Sequence, residues 1–136
     1  MSALEHEILL KNEVGQAGSV TYVIDSGHRL VVATFRQTVT VADIQAYTRR
    51  LQADPSFQPN FSEIADLRSV EHLDLQADEF LKLADEVDPF SYEAKRAFVV
   101  CNSVQSHAAR MHKVLRTQRQ FEIFHSREEA EQWIMT

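Results

Sequence analysis

From Val20 onward the chain alternates apolar and polar positions, then shifts to longer periods, and these changes mark out its elements. Val20, Tyr22 and Ile24 alternate with Thr21 and Asp25, the period of a half-buried strand. Asp25-Ser26-Gly27-His28 supplies turn chemistry, with Gly27 as the residue expected to take a positive φ. Leu30 to Phe35, rich in β-branched and aromatic residues, completes a hairpin. Thr40 then stands as a helix N-cap with Asp43 near the positive end of the dipole, and Val41, Ile44, Tyr47 or Thr48, and Leu51 recur at helical spacing. That helix stops before Pro55.

Phe61 to Leu67 reads as a third strand. A second helix starts at Asp74 or Gln76, carries Phe80, Ala84 and Val87 on one face, and ends at Pro89. Ala97 to Cys101 is a continuous apolar run, as in a strand buried on both faces. Asn102 or Ser103 caps a third helix bearing Val104, Ala108, Met111 and Leu115. Phe121 to Phe124 is a last strand. Ser126-Arg127-Glu128-Glu129 is a capping box opening a helix anchored by Ala130, Trp133 and Ile134.

The order β-β-α-β-α-β-α-β-α predicts a single α/β domain: an opening hairpin, then β-α repeats, in a five-stranded mixed, mostly parallel sheet with about four helices. The alternation leaves open whether the helices cover one face or both. Residues 1–18 form a separate N-terminal segment, read as a short helix or strand on the body or a neighbouring subunit, or as a loose tail, and 19–136 form the domain. With 136 residues, three glycines and three prolines, the chain has room for one core and no linker.

Charge narrows the partners. A net charge of -6 gives no overall field for nucleic acid or an anionic membrane. The N-terminus carries acids where a signal peptide needs bases, and no apolar run is long enough to span a bilayer, so a cytoplasmic protein is expected. Cys101, the only cysteine, rules out an intrachain disulfide and a cysteine-based zinc cage.

Candidate chemistry gathers where the parallel strands end, since ligands of open α/β sheets collect there. Asp66-Leu67-Arg68-Ser69 follows the third strand and Asn102-Ser103 the fourth. The amides opening the third helix suit an anion, with Arg68 as charge partner. Equally, Asn102 and Ser103 serve as caps, and Asp66 with Arg68 ties the loop, without any ligand. Arg110, Lys113, Arg116 and Arg119 recur at threes as a basic stripe for a phosphate, acidic partner or lipid head group, or as a solvated face.

Cys101 before a helix start is a candidate nucleophile, yet a lone cysteine in an apolar strand reads more simply as core. Asp78, Glu79, Asp85, Glu86 and Asp88 read as the wet face of the second helix. Phe57, Phe61, Phe90 and Tyr92 line an apolar pocket, a subunit contact or a core edge. No histidine spacing suggests a metal, no cofactor is implied, and no phosphate loop or nucleophile elbow occurs.

Four stretches together carry a family likeness: the hairpin running into VTVADI, the segment from Asp54 to Arg68 with D-x-x-F-x-P and A-D-L-R, the strand AFVVCNS with the SHAARM helix, and the tail FEIFHSREEAEQWI. In this order they resemble the SpoIIAA-like family, a STAS-type fold grouped by likeness with Sec14-type lipid-binding domains, over roughly Val20 to Ile134. The resemblance implies a bacterial, non-enzymatic regulatory or protein-interaction module, a homodimer with a further protein partner. The alternative is a domain binding a small lipid-like or anionic ligand near Asp66, Arg68, Ser69, Asn102, Ser103 and Arg110, and a third reading is an enzyme using Cys101. STAS proteins that antagonise anti-sigma factors carry a phosphorylatable D-S pair, but the matching position here reads Asp74-Leu75, and Ser69 lies too early, so that switch is not carried over.

Overall fold

Strands adjacent in sequence are neighbours in space. In a computed structural model, residues 14–74, 79, 88–116 and 118–136 are described. They form one sheet in the order β1 (Val14–Ala17), β2 (Val20–Asp25), β3 (Leu30–Thr40), β4 (Ser62–Asp74), β5 (Lys95–Val99) and β6 (Gln120–Phe124). The described helices are α1 (Val41–Ala53), α2 (Ser103–Arg116) and α3 (Arg127–Ile134). The β1–β2 and β2–β3 pairings are antiparallel, and the next three are parallel. The five expected strands are present, and β1 adds a sixth. Apart from Glu79, the stretch of the expected second helix between 75 and 87 lies outside the described residues.

Turn chemistry differs from expectation at one hairpin. Between β2 and β3 the positive φ falls on Arg29, at 54°, rather than on Gly27. The Asp25 carboxylate instead organises the turn, accepting from the His28 amide at 3.2 Å and pairing with the His28 ring. At the β1–β2 turn, Gly18 has φ 61°, and a Cβ there would lie 2.1 Å from the Asp43 carboxylate. Glycine is required at that close approach.

The same Asp43 completes a reciprocal capping box with Thr40 at the start of α1 and accepts from the Ser19 hydroxyl at 3.0 Å. Burial raises its carboxyl, but the hydrogen bonds from Thr40 and Ser19 outweigh it and hold the group below the ordinary range. At α3, Ser126 accepts from the Glu129 amide at 3.2 Å.

β3 and β4 run longer than the hydrophobic pattern suggests. Beyond Phe35 and Leu67 they continue side by side from Arg36↔Ser69 to Thr40↔Asp74, with register shifts at Thr34/Arg36 and Gln37/Thr38. Arg36, Gln37, Thr38, Arg68 and Ser69 are exposed in this extension, so apolar alternation disappears although the backbone ladder persists. Asp74, expected to open a helix, is therefore the last residue of β4.

Helices cover both faces. Right-handed crossovers between strands in sequential order put α1 and α2 on one face, where Tyr47, Leu51 and Ala109 pack on Phe35, Ala65, Leu67, Phe98 and Val100. The terminal α3 returns to the other face and buries Ala130 and Ile134 against Val32, Ile64, Ala97 and Val99. Among the described residues no helix is long and apolar enough to cross a membrane.

Candidate functional site

Side chains along a strand alternate between faces, which sends Glu63 of β4 and Arg96 of β5 to the face shared by Ala65, Leu67 and Phe98. The two are register partners, so a carboxylate and a guanidinium meet inside an apolar layer. Arg96 Nε donates to Glu63 Oε1 at 2.8 Å, and Tyr47 of α1 donates its hydroxyl to Glu63 Oε2 at 2.7 Å. Arg96 Nη1 donates to Asp88 Oδ2 at 2.9 Å and to Gln118 Oε1 at 3.3 Å.

Two groups of α2 converge on the same Asp88 oxygen, Arg116 Nε at 3.1 Å and His112 Nε2 at 3.4 Å. The other Asp88 oxygen accepts from the Phe90 amide at 3.0 Å. The side chains of Glu63, Asp88 and Arg96 are 2%, 4% and 4% exposed, so these are charges taken out of water. Such burial is tolerated only when every member is paired and hydrogen-bonded.

The protonation equilibria reflect this balance. Burial pushes the Asp88 carboxyl up, but the Arg96 charge and the His112 and Arg96 contacts outweigh it and hold the group far below the ordinary carboxylate range. For Arg96, burial acts against the charge, and the facing Glu63 and Asp88 overcome it and raise the guanidinium above its ordinary value. Burial, then the adjacent Glu63 charge, pushes the Tyr47 phenol well above its usual range. The hydroxyl therefore stays protonated and donates to Glu63.

Beside this network lies a cavity of about 110 Å³ between the sheet and the α1–α2 layer. Its apolar wall includes Phe35, Val39, Ile44, Leu67, Leu73 and Phe98. Its polar side is Tyr47, Thr48, Glu63, Asp88, Arg96 and His112. The His112 ring packs on Phe98 and Phe121, with centroids 5.2 and 6.0 Å away. An apolar chamber with a few convergent polar groups has the composition of a small-molecule site.

The ligand-binding residues expected at the strand ends sit elsewhere. Asp66 faces α3, on the opposite side of the sheet, where Arg68 binds it through two nitrogens at 3.0 and 2.9 Å and Arg127 Nη1 approaches to 3.3 Å. Burial raises the Asp66 carboxyl, but the Arg68 hydrogen bonds and the Arg127 charge bring it below the ordinary range. The Arg68 guanidinium is thus engaged in tying the strand. Both residues belong to β4 rather than to a loop after it, because the ladder with β3 continues past them.

Asn102 caps α2 by accepting from the Gln105 amide at 2.9 Å. Ser103 is the first residue of that helix, and Ser69, Ser103 and Arg110 are all exposed. Cys101 is exposed rather than core, because β5 ends at Val99 and the chain turns outward there. The basic stripe divides: Arg116 turns inward to Asp88 and the Phe90 carbonyl, while Arg110 and Lys113 face solvent.

Asp88 also departs from its expected wet face, since it meets Arg96, Arg116 and His112 in the interior. Of the four aromatic residues, Phe90 lines the cavity, Phe57 packs edge-on against Phe61 and Phe90, and Tyr92 lies exposed beneath Arg116. Among the described residues, no group of three or more histidine, cysteine, aspartate or glutamate residues is placed to hold a metal. Glu63 and Arg96 went unnoticed in the sequence, and Tyr47 entered only as a position of the helical repeat. The signal for the first two was period-two placement on the helix-covered face.

No protein-family model matches the chain, and no curated protein is significantly similar in sequence. Among solved structures, the fold is similar to an uncharacterized protein of the DUF3478 family with a SpoIIAA-like fold from Shewanella loihica PV-4. The two share 17% identity with a TM-score of 0.54, over 90% of this chain and 91% of the other.

Proposed function

On a SpoIIAA-like fold, we propose that this protein is a non-catalytic binding domain for a small, mainly apolar molecule held between the sheet and the α1–α2 layer. The observation that carries this reading is the cavity itself, apolar on one side and closed on the other by the paired charges of Glu63, Arg96 and Asp88. Buried charges paired on several sides in this way fix the shape of the wall beside them. The site was expected at the strand ends around Arg68 and Asn102, but those groups are spent on ties and a cap, which favours the interior chamber.

A protein-contact role as a homodimer or with another partner draws on one observation, the exposed Val104 and Val114 of α2, 62% and 71% accessible. Native mass spectrometry of freshly purified protein, set against its denatured mass, tests both. A molecule lost on denaturation is the expected result. A bare dimer favours the contact role, and a bare monomer that also refuses apolar probes contradicts the binding reading.

A further inference from the structure

We propose that the cavity selects a small neutral alcohol, an alkyl or aryl group ending in a hydroxyl, and rejects the carboxylate of the same shape. This rests on the binding reading above and names the ligand class of that site.

Size sets the first limit. An apolar cavity of about 150 Å³ accepts benzene, so a chamber of about 110 Å³ suits a molecule of comparable or slightly smaller bulk.

Charge sets the second. Around the chamber two carboxylates, Glu63 and Asp88, stand against two guanidinium groups, Arg96 and Arg116. The two carboxylates and the two guanidinium groups balance in charge. A ligand carboxylate would give up its hydration to enter beside two buried carboxylates, facing guanidinium groups already engaged with them.

Hydrogen-bond direction sets the third. The Tyr47 hydroxyl spends its hydrogen on Glu63 at 2.7 Å, and the Thr48 hydroxyl spends its hydrogen on the Gln45 carbonyl at 2.9 Å. Each oxygen keeps lone pairs and has no proton left to give. Both residues line the cavity. The hydroxyl groups at the wall therefore accept, which matches a ligand O–H and opposes a ligand O⁻.

Isothermal titration of the full chain with benzyl alcohol, benzoate and toluene at pH 8 reads this directly. Benzyl alcohol is expected to bind about tenfold or more tightly than benzoate. Tyr47→Phe, checked for folding by circular dichroism, is expected to lower the affinity for benzyl alcohol and leave that for toluene unchanged. Benzoate binding as tightly as the alcohol overturns the selectivity while the binding reading stands. Unchanged alcohol affinity in Tyr47→Phe overturns the role given to that oxygen. Failure of all three probes to bind overturns both the selectivity and the binding reading.

Discussion

Arg96→Met is expected to cost about 3–5 kcal/mol of folding stability at neutral pH, the range for breaking a buried ion pair from one side. Methionine fills similar space but leaves Glu63 with the Tyr47 hydroxyl as a remaining partner and Asp88 with Arg116 and His112. The loss should also depend on acid. Asp88 has a depressed folded-state pKa, so its stabilising contribution is complete above the unfolded carboxylate value of about 3.9 and is lost as pH falls from there through the lower folded value. Removing Arg96 takes away part of that contribution in advance.

The gap between wild type and variant should therefore hold from pH 7 to about pH 4 and narrow only below it in urea unfolding. A gap that stays constant or widens in acid would show that the network does not hold Asp88 ionised. Adding Glu63→Gln to Arg96→Met should recover part of the loss, because it removes a carboxylate left with fewer partners.

Phe90→Ala should be comparably damaging, at about 3–5 kcal/mol. The ring is 2% exposed, packs edge-on against Phe57 at 5.2 Å, and carries the Arg96 guanidinium 4.4 Å above it. It also lines the cavity, so truncation trades stability for room. The functional corollary is a shift in ligand size. A larger apolar alcohol such as 2-naphthalenemethanol should raise the melting midpoint of the variant more than that of wild type, by mass action on the folded state. Equal shifts in the two proteins would separate Phe90 from the binding chamber.

The strands and helices within the described residues were legible because period and punctuation agree there. Thr40 before Val41, Pro55 after α1 and the apolar run from Ala97 each signal locally. The extension of β3 and β4 was hidden because Arg36, Gln37, Thr38, Arg68 and Ser69 face solvent and two register shifts break the alternation, although Val39, Val70 and Leu73 still turn to the core. The interior site was hidden for a different reason. Glu63, Asp88, Arg96, His112 and Arg116 are scattered over more than fifty positions, and as single residues they look like ordinary surface charges.

Only the register of β4 on β5, which puts Glu63 opposite Arg96, reveals them as one cluster. Conversely, Asp66 and Arg68 stood out because they are adjacent, and adjacency is what lets them satisfy each other.

The most direct test of the account is diffraction from crystals of the full chain held under xenon pressure, since dry apolar cavities take up this neutral atom. An anomalous peak is expected beside Phe35, Leu73 and Phe98, with the Glu63–Arg96–Asp88 contacts intact next to it. A chamber filled by side chains, or one that takes up no xenon while xenon binds elsewhere, would contradict it.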